Sequence, residues 1–237
     1  GSKRETPSIS PCRFAELAKI SEEKRKAFAR SHEAVEACDF LQWACAHDPH
    51  LDVDIFEVMP GFLGQSYASI VGYPDGHTIV VERKFYEACA TRATGFYFRN
   101  HVLLHEYAHH ALHGKLLETE NTVTLEPHPL STLSDDTDRI PLFDREFIGV
   151  GYSAPNSVEL EAEYFAVLLA VPWVKLAEYA VNGIEIGTAV NFISRDYGTL
   201  PEITKRIMWF MRSRGTREAI KRELYKLGVR EHKFFGM

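Results

Sequence analysis

The chain has 237 residues, 45% of them hydrophobic, and a formal net charge of -6. It is long enough to bury a sizeable core, and too acidic overall for a protein that holds nucleic acid by bulk charge. No run reaches the eighteen or more apolar residues of a membrane helix, and the opening GSKRETPSIS has no apolar signal-peptide core, so a cytoplasmic protein without a membrane partner is expected. Cys12, Cys38, Cys45 and Cys89 show no C-x-x-C spacing and read as reduced thiols, which suits that compartment.

From Phe14 to about Cys45, apolar residues recur at three and four spacing in CRFAELAKI and AVEACDFLQWACA, which predicts two packing helices within an N-terminal segment 1–52. No glycine-containing helix-turn-helix connection marks a DNA-reading module there. Cys45, His47 and His50 form a small cluster that reads as polar surface rather than as a metal site. Three β-prone runs follow, VDIFEVM, SYASIVGY and HTIVVERKF. Pro74-Asp75-Gly76 joins the last two, so a hairpin in a small antiparallel sheet is expected.

The helix predicted over Tyr97 to His113 carries LLHEYAHHALHG, with Gly114 as its expected stop. His105 and His109 stand at i and i+4, so both rings leave one face and can reach one metal ion. Glu106 lies beside the first of them. In this H-E-x-x-H arrangement neutral imidazoles hold Zn²⁺ and the carboxylate takes a proton from water. With 11 His and 23 Glu among 237 residues, about one shuffled copy in twenty would contain the five-residue pattern, so its surroundings must decide. Leu104, Ala108, Ala111 and Leu112 supply them, as the apolar face of a buried helix.

Leu117 to Gly151 is polar, long and without periodicity, and reads as a loop bordering a cleft, with His128 as a candidate donor to a transition state. A catalytic zinc takes three protein ligands and keeps one position open. An extended H-E-x-x-H-x-x-G-x-x-H would need Gly at 112 and His at 115, where the chain has Leu112 and Lys115. The third ligand must then come from elsewhere, and NSVELEAEYFAVLLAVP offers a second helix with Glu159, Glu161 and Glu163. Glu159 and Glu161 lie about 200° apart on a helix and cannot both face the metal. Glu159 also stands three residues after Asn156, as a capping-box partner would.

HEYAHHALHG (105–114) and ELEAEYFAVLLAVP (159–172) together resemble the ImmA/IrrE family of zinc metallopeptidases, and the weaker similarity of the flanks extends from about Val53 to Met211. The resemblance implies an α+β, zincin-like catalytic domain over 53–200, with Zn²⁺ held by His105, His109 and Glu159 and with Glu106 as general base. Glu161 is the rival for Glu159. It also implies hydrolysis of a peptide bond in a protein substrate, of which a transcriptional repressor is one kind, in a stress or mobile-element response. The chain departs from the family where Glu163 replaces a usual Asn, where Val171-Pro172 replaces Met-Pro, and where His101-Val102-Leu103-Leu104 precedes the motif. Glu163 can orient His105 or His109 or add negative charge. His101 and His113 continue the i, i+4 ladder and, turned about 40° per step, read as orienting groups, while His110 reads as packing or a helix-end contact. The hairpin Tyr67 to Glu82 is the expected edge for an extended substrate.

From Pro201 onward ten Lys/Arg against four Glu give +6, a basic helical extension over 201–237 that reads as a solvated face. Two other classes stay in view. A non-catalytic metal-binding regulator would fill the fourth metal position with protein, and a nucleic-acid binder using the basic tail would lose affinity steeply with salt.

Overall fold

The computed structural model describes residues 9–28, 34–56, 67–73, 75–90, 93–119, 157–181 and 184–228. The architecture is α+β. Helix α1 (Pro11–Phe28) starts where Ser10 Oγ accepts from the Arg13 amide at 3.1 Å and Pro11 needs no amide partner. It buries Phe14, Leu17, Ala18, Ser21 and Arg25 at helical spacing. Helix α2 (Ala37–His47) is capped by Glu36, whose carboxylate accepts from the Asp39 amide. Strands β1 (Leu51–Phe56), β2 (Ala68–Tyr73) and β3 (Gly76–Glu82) follow.

The expected hairpin is present, with β2 and β3 antiparallel and Ile70 opposite Ile79. The expected all-antiparallel sheet is corrected. The order is β1-β3-β2, and β1 runs parallel to β3 with Val53 opposite Ile79. Consecutive strands usually neighbour one another, but here the chain leaves β1 and enters β2 two positions away. β3 is therefore paired on both sides, and among the described residues β2 is the hairpin strand with an unpaired edge. The run HTIVVERKF also divides: the strand ends at Glu82 and helix α3 (Arg83–Ala90) begins at once, burying Phe85 and Cys89.

Helix α4 (Ala93–Thr119) is the hub, packing against β2, β3, α2, α3 and α5 (Ser157–Ala170), the next helix among the described residues. Leu103, Leu104, Tyr107 and Ala108 are all buried, as expected of a helix enclosed on most sides. The expected stop at Gly114 is also corrected, because α4 continues to Thr119. A Cβ at Gly114 would stand 3.1 Å from Cε1 of His77, so this glycine lets the helix pass close to β3. Of the long segment read as a loop, Leu117 to Thr119 are thus helical, and the rest, with His128 and Asn156, lies outside the described residues.

Helices α6 (Trp173–Val181), α7 (Ile186–Tyr197), α8 (Pro201–Arg212) and α9 (Arg214–Lys226) complete the fold. Gly198 closes α7 at φ 64°, a left-handed cap that suits glycine. α1 packs on both α5 and α9. One apolar cluster accordingly runs from Ile9 through the sheet and α4 to Leu224, and β1 straddles residue 53, so N-terminal, central and C-terminal segments share a core. Among the described residues no single helix is long and apolar enough to cross a membrane.

Candidate metal centre

α4 and α5 lie side by side with Ala108 and Ala162 both fully buried, which leaves room for the polar side chains that face each other beside them. The pairings run in opposite order along the two helices, His101 with Glu163 and His105 with Glu159, so the helices are antiparallel.

The structure brings together His105, His109 and Glu159. Nε2 of His105 lies 3.1 Å from Nε2 of His109 and 3.3 Å from Oε2 of Glu159, and Nε2 of His109 lies 3.5 Å from Oε1 of Glu159. A tetrahedral ion with donors at about 2.0–2.1 Å spaces neighbouring donors about 3.3–3.4 Å apart. These donor atoms already sit at that spacing, and the set of two imidazoles and one carboxylate suits a borderline divalent ion such as Zn²⁺.

The electrostatics are those of a strongly coupled buried group. Burial pushes the His105 imidazolium down, but its hydrogen bond to Glu159 and the charges of Glu163, Glu106 and Glu159 outweigh this and lift its pKa to about 9. Burial likewise opposes ionisation of Glu159, yet hydrogen bonds from His105 and His109 hold its carboxyl far below the usual range. A proton on His105 and a metal ion are thus alternative cations for one anionic cradle.

A second buried group, His101, His105 and Glu163, also gathers three potential donors. There Nε2 of His101 and Oε2 of Glu163 are only 2.6 Å apart, which is the length of a charge-assisted hydrogen bond and too short for two donors on one tetrahedral ion. Glu163 is therefore engaged by His101.

Glu106 follows His105 on α4 and is half-buried; among the described residues no donor holds its carboxylate. Glu161 lies apart from the donor trio. Its Oε2 accepts from Nη2 of Arg13 at 2.6 Å and lies 3.3 Å from Nε2 of His113, whose Nδ1 is 3.3 Å from Nδ1 of His109. Burial disfavours the Glu161 carboxylate, but Arg13 and His113 more than offset this and hold its pKa low. Burial and the neighbouring His109 lower that of His113.

Two features were not legible in the sequence. Arg13 reaches the site from α1, 148 residues away in the chain. His110 belongs to a separate network: its Nε2 lies 3.0 Å from Oδ2 of Asp48, and its Nδ1 2.9 Å from Nδ1 of His77 on β3. Burial keeps His110 below its ordinary pKa. The cluster read around Cys45, His47 and His50 is not among the groups able to hold a metal in the described residues.

No family model, curated protein or solved structure matches this chain.

Proposed function

We propose that the protein is a zinc-dependent metallopeptidase with an H-E-x-x-H…E site, similar in its two motif blocks to the ImmA/IrrE peptidases. The observation that carries this is the preformed spacing of three donor atoms, 3.1, 3.3 and 3.5 Å apart, contributed by the H-E-x-x-H helix and a separate helix bearing Glu159. His105, His109 and Glu159 would hold the ion. When bound, a zinc ion supplies Lewis acidity toward a carbonyl oxygen and brings the pKa of bound water down to about 7.

The chain's own groups do the rest. Glu106, adjacent to the donor trio and unengaged by other donors among the described residues, accepts the proton of the attacking water and returns it to the departing amine. Leu104, Ala108 and Ala162, on the two helices that carry the donors, are fully buried. Among the described residues β2 is the unpaired edge of the hairpin, and it packs against α4, so an extended substrate added to it would run alongside the helix that carries the motif. A protein substrate, of which a repressor is one kind, fits this mode because strand addition needs a flexible, extended segment.

The test is metal content by elemental analysis of wild type, Glu159→Ala and Glu161→Ala. About one zinc per chain is expected in the wild type, absent from Glu159→Ala and present in Glu161→Ala when zinc is in excess. A wild-type chain that binds no zinc after supply and removal of excess would end the peptidase reading.

A further inference from the structure

The hydrogen-bond chain behind His109 does more than fill space. It rests on the metal reading given above, and its logic is one of tautomers. If Nε2 of His109 carries the metal, the ring's single proton must be on Nδ1. That nitrogen faces Nδ1 of His113 at 3.3 Å, so Nδ1 of His113 must be the acceptor. The proton of a neutral His113 then sits on Nε2, where it points at Oε2 of Glu161, also 3.3 Å away. Glu161 is ion-paired with Nη2 of Arg13 at 2.6 Å. Each link has one polarity compatible with the next, and the polarity starts from the carboxylate.

We propose that His113, Glu161 and Arg13 are positioning residues for the metal, a carboxylate–imidazole chain that fixes the tautomer of His109 and makes metal retention depend on how helix α1 is seated. The usual arrangement places a carboxylate or carbonyl directly on the ligand imidazole. Here a second imidazole is inserted between them, and the carboxylate in turn is held from another helix. α1 is fixed to α5 at two places, by Arg13 on Glu161 and by Nη2 of the buried Arg25 on the Leu169 carbonyl at 2.5 Å. A displacement of α1 would release Glu161, leave the tautomer of His113 unspecified, and weaken the hold of His109 on the ion.

The chain also explains why Glu161 is retained beside Glu159 without competing for the metal. Its Oε2 is engaged by Arg13 and His113 rather than by the donor trio. His113 is buried, with its exposure only 6%, so bulk water is a poor substitute for Glu161 as acceptor.

The experiment uses the full chain. Zinc affinity is measured by competition with a chromophoric chelator for wild type, His113→Phe, Glu161→Ala, Glu161→Gln, Arg13→Ala and, as a control at a half-exposed position of α1, Lys19→Ala. Expected losses are about 10–100-fold for His113→Phe and Glu161→Ala. Glu161→Gln, which keeps an acceptor oxygen, should recover part of that loss, Arg13→Ala should lose affinity, and Lys19→Ala should match wild type. Independently of any variant, ¹⁵N ring shifts of the zinc-loaded wild type should place the proton of His109 on Nδ1 and that of His113 on Nε2. Unchanged affinity in the His113 and Glu161 variants, or a His113 proton on Nδ1, overturns the relay while leaving the metal site standing. A wild-type chain that takes up no zinc overturns both.

Discussion

Asn100 gives the most direct test of how α4 is held in place. Its side chain is fully buried; Oδ1 accepts from the Ala37 amide at 2.6 Å, and Nδ2 donates to the Gly198 carbonyl at 3.0 Å, with the Val35 and Tyr197 carbonyls at 3.4 Å. One amide therefore closes the start of α2 and the end of α7 onto α4, five residues before His105. Asn100→Leu is close in size and leaves little room for a replacement water. It strands a buried N–H and at least one buried carbonyl, each costing about 1–3 kcal/mol. The expected destabilisation is about 2–6 kcal/mol, a large share of the roughly 5–15 kcal/mol typical of a folded domain. Asn100→Asp keeps the acceptor for Ala37 but turns a second acceptor toward three carbonyls, and should be no more stable than the leucine variant. Urea unfolding followed by circular dichroism measures both, read from the midpoint at constant slope. A loss below about 1 kcal/mol for Asn100→Leu would refute the claim that this amide ties the helices together.

Glu106→Gln should retain zinc while peptide hydrolysis falls by about 100-fold or more, the scale of a lost general base; turnover at the wild-type rate would remove Glu106 from the mechanism. The pH response should depend on the metal. Without zinc, Glu159 contributes stability above its ordinary pKa of 4.5 and loses it as pH falls through its depressed value, whereas His105 contributes fully below 6.5 and loses it as pH rises through about 9. The pair is thus most stabilising between 4.5 and 6.5 in metal-free protein, while the gain from added zinc, which needs a neutral His105, should grow from pH 6 to pH 9. Unfolding midpoints at both pH values with and without zinc check this, and a larger zinc gain at pH 6 would contradict it. Gly198→Ala should destabilise by more than about 1 kcal/mol, since φ is 64° and the new Cβ would lie 2.7 Å from Cε1 of Phe96. A neutral result in thermal unfolding would mean that the end of α7 relaxes freely.

The sequence was most informative where chemistry and periodicity coincide. His105 and His109 share a face because they are four apart, and Glu159 meets them because a helix carrying both it and Ala162 can approach α4 closely. Rotation along α4 also placed His101 and His113 off the donor trio, where the structure has them bonded to Glu163 and Glu161. Long-range choices were less accessible. Nothing local in Leu51–Phe56 distinguishes pairing with β3 from pairing with β2, since both offer the same kind of apolar edge, and the chain makes the non-sequential choice. Gly114 looked like a stop because glycine usually ends helices, yet its role depends on His77, a residue of another element. Arg13 and Arg25 likewise gain their meaning only from α5, which is remote in sequence.

The ladders on α4 and α5 repeat at one interval, with imidazoles at 101, 105, 109 and 113 and carboxylates at 159 and 163. Such an interface is nearly degenerate: a slip of one turn, about 5.4 Å, would carry Glu163 toward the position of Glu159 and still pair acid with base. Uniqueness has to come from features that do not share the repeat. Glu161 is out of step with the other carboxylates and is pinned by Arg13, and the Leu169 carbonyl is pinned by Arg25. The two arginines of α1 act as index marks on a scale whose divisions are otherwise alike, so a helix remote in sequence from the H-E-x-x-H motif selects which glutamate faces the histidine pair.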